Sequence, residues 1–182
     1  MSTPRSWSAV HTVPPGTELG GIGQGNRLLV GAVRASGVAT VVAVDPVPAR
    51  RDMALRIGAD AVLGPAAVAV VEAVRDLTGG GATYALDTSG IPSVITEAAL
   101  ALGRAGALAL ALALALVGLG PADLTLDVQD LVLNGKTVRG CIEGDAKPRE
   151  FIPHLLQLRA KRLLPVEDTI SAAVYQPVLD AA

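Results

Sequence analysis

The chain has almost nothing with which to build a disulfide or a metal centre. Among its 182 residues there are one cysteine, Cys141, and two histidines, His11 and His154. A single cysteine excludes an internal disulfide and fits a reducing cytoplasm. A catalytic zinc needs three protein ligands and a four-cysteine structural zinc needs four thiolates. Cys141, His11 and His154 stand far apart in sequence and share no helical face, so each reads as structural or solvent-exposed. Glu143 and Asp145 flank Gly144 in a stretch that could face the cleft but reads more commonly as a solvated loop. Aromatic residues are as scarce, with one Trp, two Tyr and one Phe. The lack of a ring platform and of any basic run, with a net charge of −2, argues against nucleic-acid binding. No serine is placed on a nucleophile elbow, so no Ser-His-Asp arrangement is evident. Residues 1–12 carry Arg5 but no apolar run after it, which argues against a secretory leader.

What is abundant is aliphatic. The apolar fraction is 51%, and it must be carried by Ala, Val, Leu and Ile, which suits parallel strands covered by helices. Length alone fits one domain with a sizeable core. Residues 105–122 hold no charge and contain an Ala-Leu alternation, which just reaches the lower limit for a membrane span. Gly106, Gly118, Gly120 and Pro121 shorten the clean run below that limit. The period of two reads as a buried strand lengthened by a low-complexity expansion, and a membrane span is not expected.

Along the chain, strands and helices alternate with short connections. Residues 1–16 read as an arm, and residues 27–36 as a short helix. Strands are expected at 40–45, 61–63, 83–87 and 107–117, with shorter ones at 124–127 and 137–142. Helices are expected at 49–57, from Pro65 to about residue 77, at 92–102 and at 148–161. This is an α/β pattern, a Rossmann-type doubly wound parallel sheet in a single domain. Such sheets bind ligands at the carboxyl ends of their strands, and Asp45, Asp87, Thr88, Val117 and Gly118 all fall there.

Two features there point to one ligand. Gly20, Gly21, Gly23 and Gly25 form a glycine-rich turn before a helix-like segment, where backbone N–H groups can approach a pyrophosphate. The pattern G-x-G-x-x-G lies on it in two registers. One uses Gly21 and Gly23 with Asn26 in third place, and the other starts on Glu18 and uses Gly20 and Gly23. About 20 residues further on, Asp45 ends the next strand, where a carboxylate can accept the hydroxyls of an adenosine ribose. Arg50 can flank the same ribose. An acid there repels a 2′-phosphate, so NAD is expected over NADP. Residues 88–90, Thr88, Ser89 and Gly90, read either as a tight turn against adenosine or as the cap of the next helix.

Longer stretches carry a family resemblance. VVAVDPVPARR from Val41, LTGGG from Leu77, YALDTSG from Tyr84 and especially LTLDVQDLVLNGKTVRGCIE from Leu124 resemble the zinc-dependent medium-chain alcohol dehydrogenases, the aryl- or benzyl-alcohol type most of all. The resemblance implies a Rossmann coenzyme domain. By position, the glycine turn would hold the pyrophosphate, Asp45 with Arg50 the ribose, Thr88 to Gly90 the adenosine side, and Val117-Gly118 the nicotinamide through the backbone. It also implies a homodimer through the strand from Leu124 to Asp127. Zinc belongs to the family, but its ligands are missing from this sequence, as is the catalytic domain that carries them. The expected division is an arm at 1–16, an NAD-binding domain at 17–165 and a shortened return segment at 166–182. The reading is therefore the coenzyme half of an oxidoreductase, inactive alone, which a separate catalytic chain would complete. The rivals are a non-catalytic nucleotide-binding or interaction module, or a degenerate relic.

Overall fold

The structure, a computed structural model, describes residues 18–22, 30–31, 33, 38–103, 112–120, 123–141 and 147–161. The arm at 1–16, the return segment at 166–182, Gly23 and Gly25, and the first part of the Ala-Leu run (107–111) lie outside the described residues. In order the elements are β1 (Glu18–Ile22), β2 (Thr40–Val44), α1 (Pro48–Arg56), β3 (Ala61–Leu63), α2 (Val70–Leu77), β4 (Tyr84–Asp87), α3 (Pro92–Ala101), β5 (Leu112–Leu116), α4 (Val128–Asn134), β6 (Lys136–Gly140) and α5 (Pro148–Ala160). Val30, Gly31 and Val33, between β1 and β2, are also helical.

All six strands are parallel and ordered β3-β2-β1-β4-β5-β6. The chain thus winds outward from β1 in one direction and from β4 in the other, and the order reverses between those two neighbours. Alternate residues of β2, β3, β4 and β5 enter opposite cores. Val42, Val44, Ala85 and Leu114 pack with Val70 and Val74 of α2 and with Ile95, Ala98 and Ala99 of α3. Val41, Leu86 and the partly buried Ala43 and Ala115 pack on the other face with Val33 and with Ala54 of α1. Adjacent residues such as Val41 and Val42 are therefore both buried, as a strand covered on both faces requires.

The helix ends show how local chemistry sets boundaries. Pro48 and Pro92 open α1 and α3, where a missing N–H costs no helical bond. The carboxyl end of α3 is held by two cations: an Arg75 Nη2 hydrogen bond to the Leu100 carbonyl (2.8 Å) and a Lys136 Nζ hydrogen bond to the Ala99 carbonyl (2.8 Å). Carbonyls of the last turn have no helical partner and carry the negative end of the dipole, so cations satisfy both needs.

Four expectations are corrected. Gly20 and Gly21 lie inside β1 rather than in the turn after it. Gly20 pairs with Val42 and Ala85, and Gly21 with Ala43 and Leu86, so ladders on both sides outweigh glycine's poor strand propensity. The helix expected from Pro65 starts only at Val70, because Ala67 N–H bonds the Gly64 carbonyl (2.9 Å) in a turn and Ala69 is extended. Residues 124–127 form no strand. Leu124 and Leu126 pack against the core, and the Asp127 side chain accepts the Asp130 N–H (3.1 Å) to cap α4, a helix unforeseen in the sequence. A homodimer therefore has no strand from Leu124 to Asp127 to pair through. The strand expected at 137–142 is β6, one residue earlier at its start. No described helix is long and apolar enough to cross a membrane.

Candidate functional site

One row of residues marks the carboxyl edge of the sheet. Leu63, Val44, Ile22, Asp87, Leu116 and Gly140 are successive neighbours across the six strands. The residues just past the strand ends therefore share that edge: Gly64 after β3, Asp45 after β2, Thr88 after β4 and Val117 after β5. The strand order reverses between β1 and β4, at the middle of this edge, which is where open parallel sheets bind ligands. Asp45 stands one strand to one side of β1, and the 88–90 turn continues from β4 on the other.

Asp45 is buried, with 6% of its surface exposed. Its Oδ1 accepts the Val47 N–H (2.8 Å), which closes an Asx turn and aims the chain into α1. Its Oδ2 lies 3.7 Å from Nη1 of Arg50, whose side chain is 35% exposed. Such a pair is worth about 0–1 kcal/mol, so Arg50 can leave Asp45 for a ligand. The next residue does something different. Arg51 Nη1 donates to the Asp45 carbonyl (2.7 Å) and to the Pro46 carbonyl (2.9 Å), holding the main chain rather than the carboxylate.

On the other side, Asp87 is fully buried and organises two turns. Its Oδ1 accepts from the Ser89 N–H (3.1 Å) and the Ser89 hydroxyl (2.6 Å), and its Oδ2 from the Gly90 N–H (2.9 Å). Its own carbonyl accepts the N–H groups of Val117 (2.8 Å) and Gly118 (3.1 Å). The two turns interlock. A Cβ on Gly118 would overlap the Gly90 nitrogen, and a Cβ on Gly90, whose φ is +66°, would stand 2.5 Å from the Leu119 carbonyl. Only glycine allows this approach at either position.

The predicted site residues divide accordingly. Asp45 and Arg50 come together as expected. Thr88 to Gly90 form a tight turn and not a helix cap, since α3 has Ile91 at its N-cap and no side-chain cap. Val117 and Gly118 reach the edge, but their N–H groups are spent on Asp87, which leaves only carbonyls for a ligand. Gly20 and Gly21 support the edge from within β1, and Gly23 lies outside the described residues. The sequence reading missed Asp87 as the organiser of both turns, along with Arg51 and with Gly120, where a Cβ would overlap the Gly90 carbonyl oxygen. An Asp with Ser two residues later and Gly three residues later is an Asx-turn signal that could have marked the first. Among the described residues no three His, Cys, Asp or Glu side chains are placed to hold a metal ion. Cys141, the residue after β6, is a free thiol of intermediate exposure.

The chain as a whole is matched in known proteins. Residues 21–161 fit the family described as zinc-binding dehydrogenase. The chain belongs to that family. A geraniol dehydrogenase from Castellaniella defragrans is 36% identical over 93% of this chain. An alcohol dehydrogenase zinc-binding domain protein from Burkholderia ambifaria superposes with a TM-score of 0.83 at 32% identity over 98% of the chain. Benzyl alcohol dehydrogenase from Acinetobacter calcoaceticus gives the same TM-score at 28% identity and 98% coverage. The match covers 45% of the geraniol dehydrogenase, 49% of the Burkholderia chain and 50% of the Acinetobacter chain. The chain thus spans about half the length of the relatives it matches. The half it spans is an alcohol-dehydrogenase-like dinucleotide-binding domain.

Proposed function

We propose that this domain binds NAD(H) along the carboxyl edge of its sheet, as the coenzyme half of an alcohol-dehydrogenase-like oxidoreductase. Asp45 carries the reading. A buried carboxylate at the end of the second strand, beside the order reversal, is placed to accept the hydroxyls of an adenosine ribose. The donor chemistry fits the rest of the coenzyme. Carbonyls of Val117 and Gly118 suit the amide nitrogen of a nicotinamide carboxamide, which only donates. When bound, NAD supplies the hydride acceptor for an alcohol. The contribution of this chain is to orient the ring and fix the ribose. The residues that polarise the alcohol, zinc ligands included, would come from outside this fold, in the same reducing cytoplasmic setting that suits a lone thiol.

The test is a fluorescence titration of the purified chain with NADH and with NADPH. NADH should saturate at lower concentration, because the Asp45 carboxylate repels a 2′-phosphate. Asp45→Ala should narrow the gap between the two by about tenfold, ~1.4 kcal/mol. An unchanged ratio in that variant would mean that Asp45 is not at the ribose. Self-association belongs to the same proposal, with edge strand β6 in place of residues 124–127. Sedimentation of a dimer that a proline at Val138 converts to monomer would support it, and a monomeric parent chain would overturn it.

A further inference from the structure

A carboxylate separates a ribose hydroxyl from a 2′-phosphate only while its oxygens stay where the hydroxyls arrive. Asp45 is the first residue past β2, and the ladder to β3 ends beside it with the Asp45 N–H on the Leu63 carbonyl (3.1 Å). Beyond that bond the main chain must turn at once into α1. Two adjacent arginines stand over this turn, and the sequence alone cannot tell their tasks apart. Arg50 faces the Asp45 side chain and is open to solvent. Arg51 faces the main chain and bridges two consecutive carbonyls, those of Asp45 and Pro46, through one nitrogen.

A second observation shows that the Arg51 guanidinium has a built place. It lies against Gly64, the first residue past β3 at the same edge, where a Cβ would stand 3.1 Å from both Cζ and Nη1. The missing side chain at Gly64 leaves the room that the guanidinium fills. Arg51 thus spans the corner between the ends of β2 and β3, anchored on one side and fitted on the other.

We infer that Arg51 is a positioning residue for coenzyme choice: it fixes the Asp45 backbone so that the carboxylate accepts a ribose and rejects a 2′-phosphate. The inference rests on the reading of Asp45 as the ribose acceptor. The chemistry predicts an asymmetric effect. With Arg51 gone, the carboxylate is less well placed, so NADH loses hydrogen bonds that depend on its position. NADPH gains from weaker repulsion what it loses from the missing positive charge, so its affinity stays about the same. A residue that merely stabilised the fold, or merely attracted phosphates, would weaken both coenzymes alike.

Arg51→Met keeps the apolar stem and removes every donor. Titrated with NADH and NADPH, it should bind NADH about tenfold more weakly, the scale of two lost charge-assisted hydrogen bonds, with NADPH within about twofold of the parent. Arg51→Lys, which keeps the charge but not the planar fork, should fall between the two. If Arg51→Met shows no cooperative thermal transition, Arg51→Lys decides: a smaller NADH preference than the parent supports the inference, and an equal one overturns it. Equal weakening of both coenzymes by Arg51→Met also overturns it. Should the parent chain fail to prefer NADH, or Asp45→Ala leave the preference unchanged, the reading of the site falls and the inference with it. Should Asp45→Ala shift the preference while Arg51→Met does not, the inference alone is wrong.

Discussion

Asp87→Ala should destabilise the domain by about 3–5 kcal/mol, lowering the melting temperature by roughly 6–20 °C at 2–4 °C per kcal/mol for a chain of this size. The carboxylate sits where no water reaches and accepts three hydrogen bonds, two from Ser89 and one from Gly90. Each buried donor left without an acceptor costs about 1–3 kcal/mol, and Ala supplies none. The Ser89 hydroxyl can rotate toward another acceptor, but the N–H groups of Ser89 and Gly90 cannot. Asp87→Asn keeps the shape and one acceptor oxygen while turning an NH2 toward a donor, so it should fall between Ala and the parent. The strand ladder itself survives, because Val117 and Gly118 bond the main-chain carbonyl of Asp87 and not its side chain. What loosens is the interlock between the two carboxyl-edge turns, so coenzyme affinity should fall along with stability. Thermal melts monitored by circular dichroism check the first effect. An Ala variant melting within about 2 °C of the parent would show that the turn holds its shape without this carboxylate.

Those hydrogen bonds show where sequence reading stops. Strands β2 and β3 were legible because Val41 to Val44 and Ala61 to Leu63 are short aliphatic runs bounded by Gly, Pro and Asp. Pro92 marked the start of α3 for a local reason, the spare N–H of a first turn, whereas Pro48, the first residue of α1, reads in the sequence as part of the preceding turn. The place of Asp45 at the sheet edge was legible because a carboxylate ending a buried strand is conspicuous. Strand β1 was underread because glycine has little propensity of its own, and only the neighbours β2 and β4 make Gly20 and Gly21 extended. Helix α4 was missed because Leu124 to Asp127 alternates like a strand, though Asp127 before the helix and Gly135 after it were the start and stop signals. The role of Arg51 depends on Gly64 across a strand, and that of Lys136 on Ala99 across 37 residues. Neither distance leaves a trace in local pattern.

Lys136 is the subject of the second large effect. Its side chain is 1% exposed, yet it carries a charge, and it has two partners: Asp130 Oδ2 at 2.7 Å and the Ala99 carbonyl at 2.8 Å. Asp130→Ala removes the only carboxylate paired with Lys136 among the described residues and should cost about 3–5 kcal/mol, the scale for breaking a buried pair from one side. Lys136→Met should cost less, since Asp130 is the more exposed partner and keeps the Asn134 side-chain amide at 2.8 Å. The double variant should be more stable than Asp130→Ala alone, because the unpaired buried cation is then gone. Urea denaturation of the parent, both single variants and the double variant gives the cycle, and additive costs would mean that the two groups do not interact. The consequence reaches the candidate site through the sheet. Asp130 belongs to α4 and Lys136 opens β6, whose last residue, Gly140, pairs with Leu116 just before Val117. Cys141 then bonds the Leu116 carbonyl (2.8 Å), so β6 braces the end of β5 along its whole length. Loosening the Lys136 anchor should therefore weaken NADH binding more than binding of ADP-ribose, which lacks the nicotinamide. Equal loss of both would show that β6 holds the domain together without placing Val117 and Gly118.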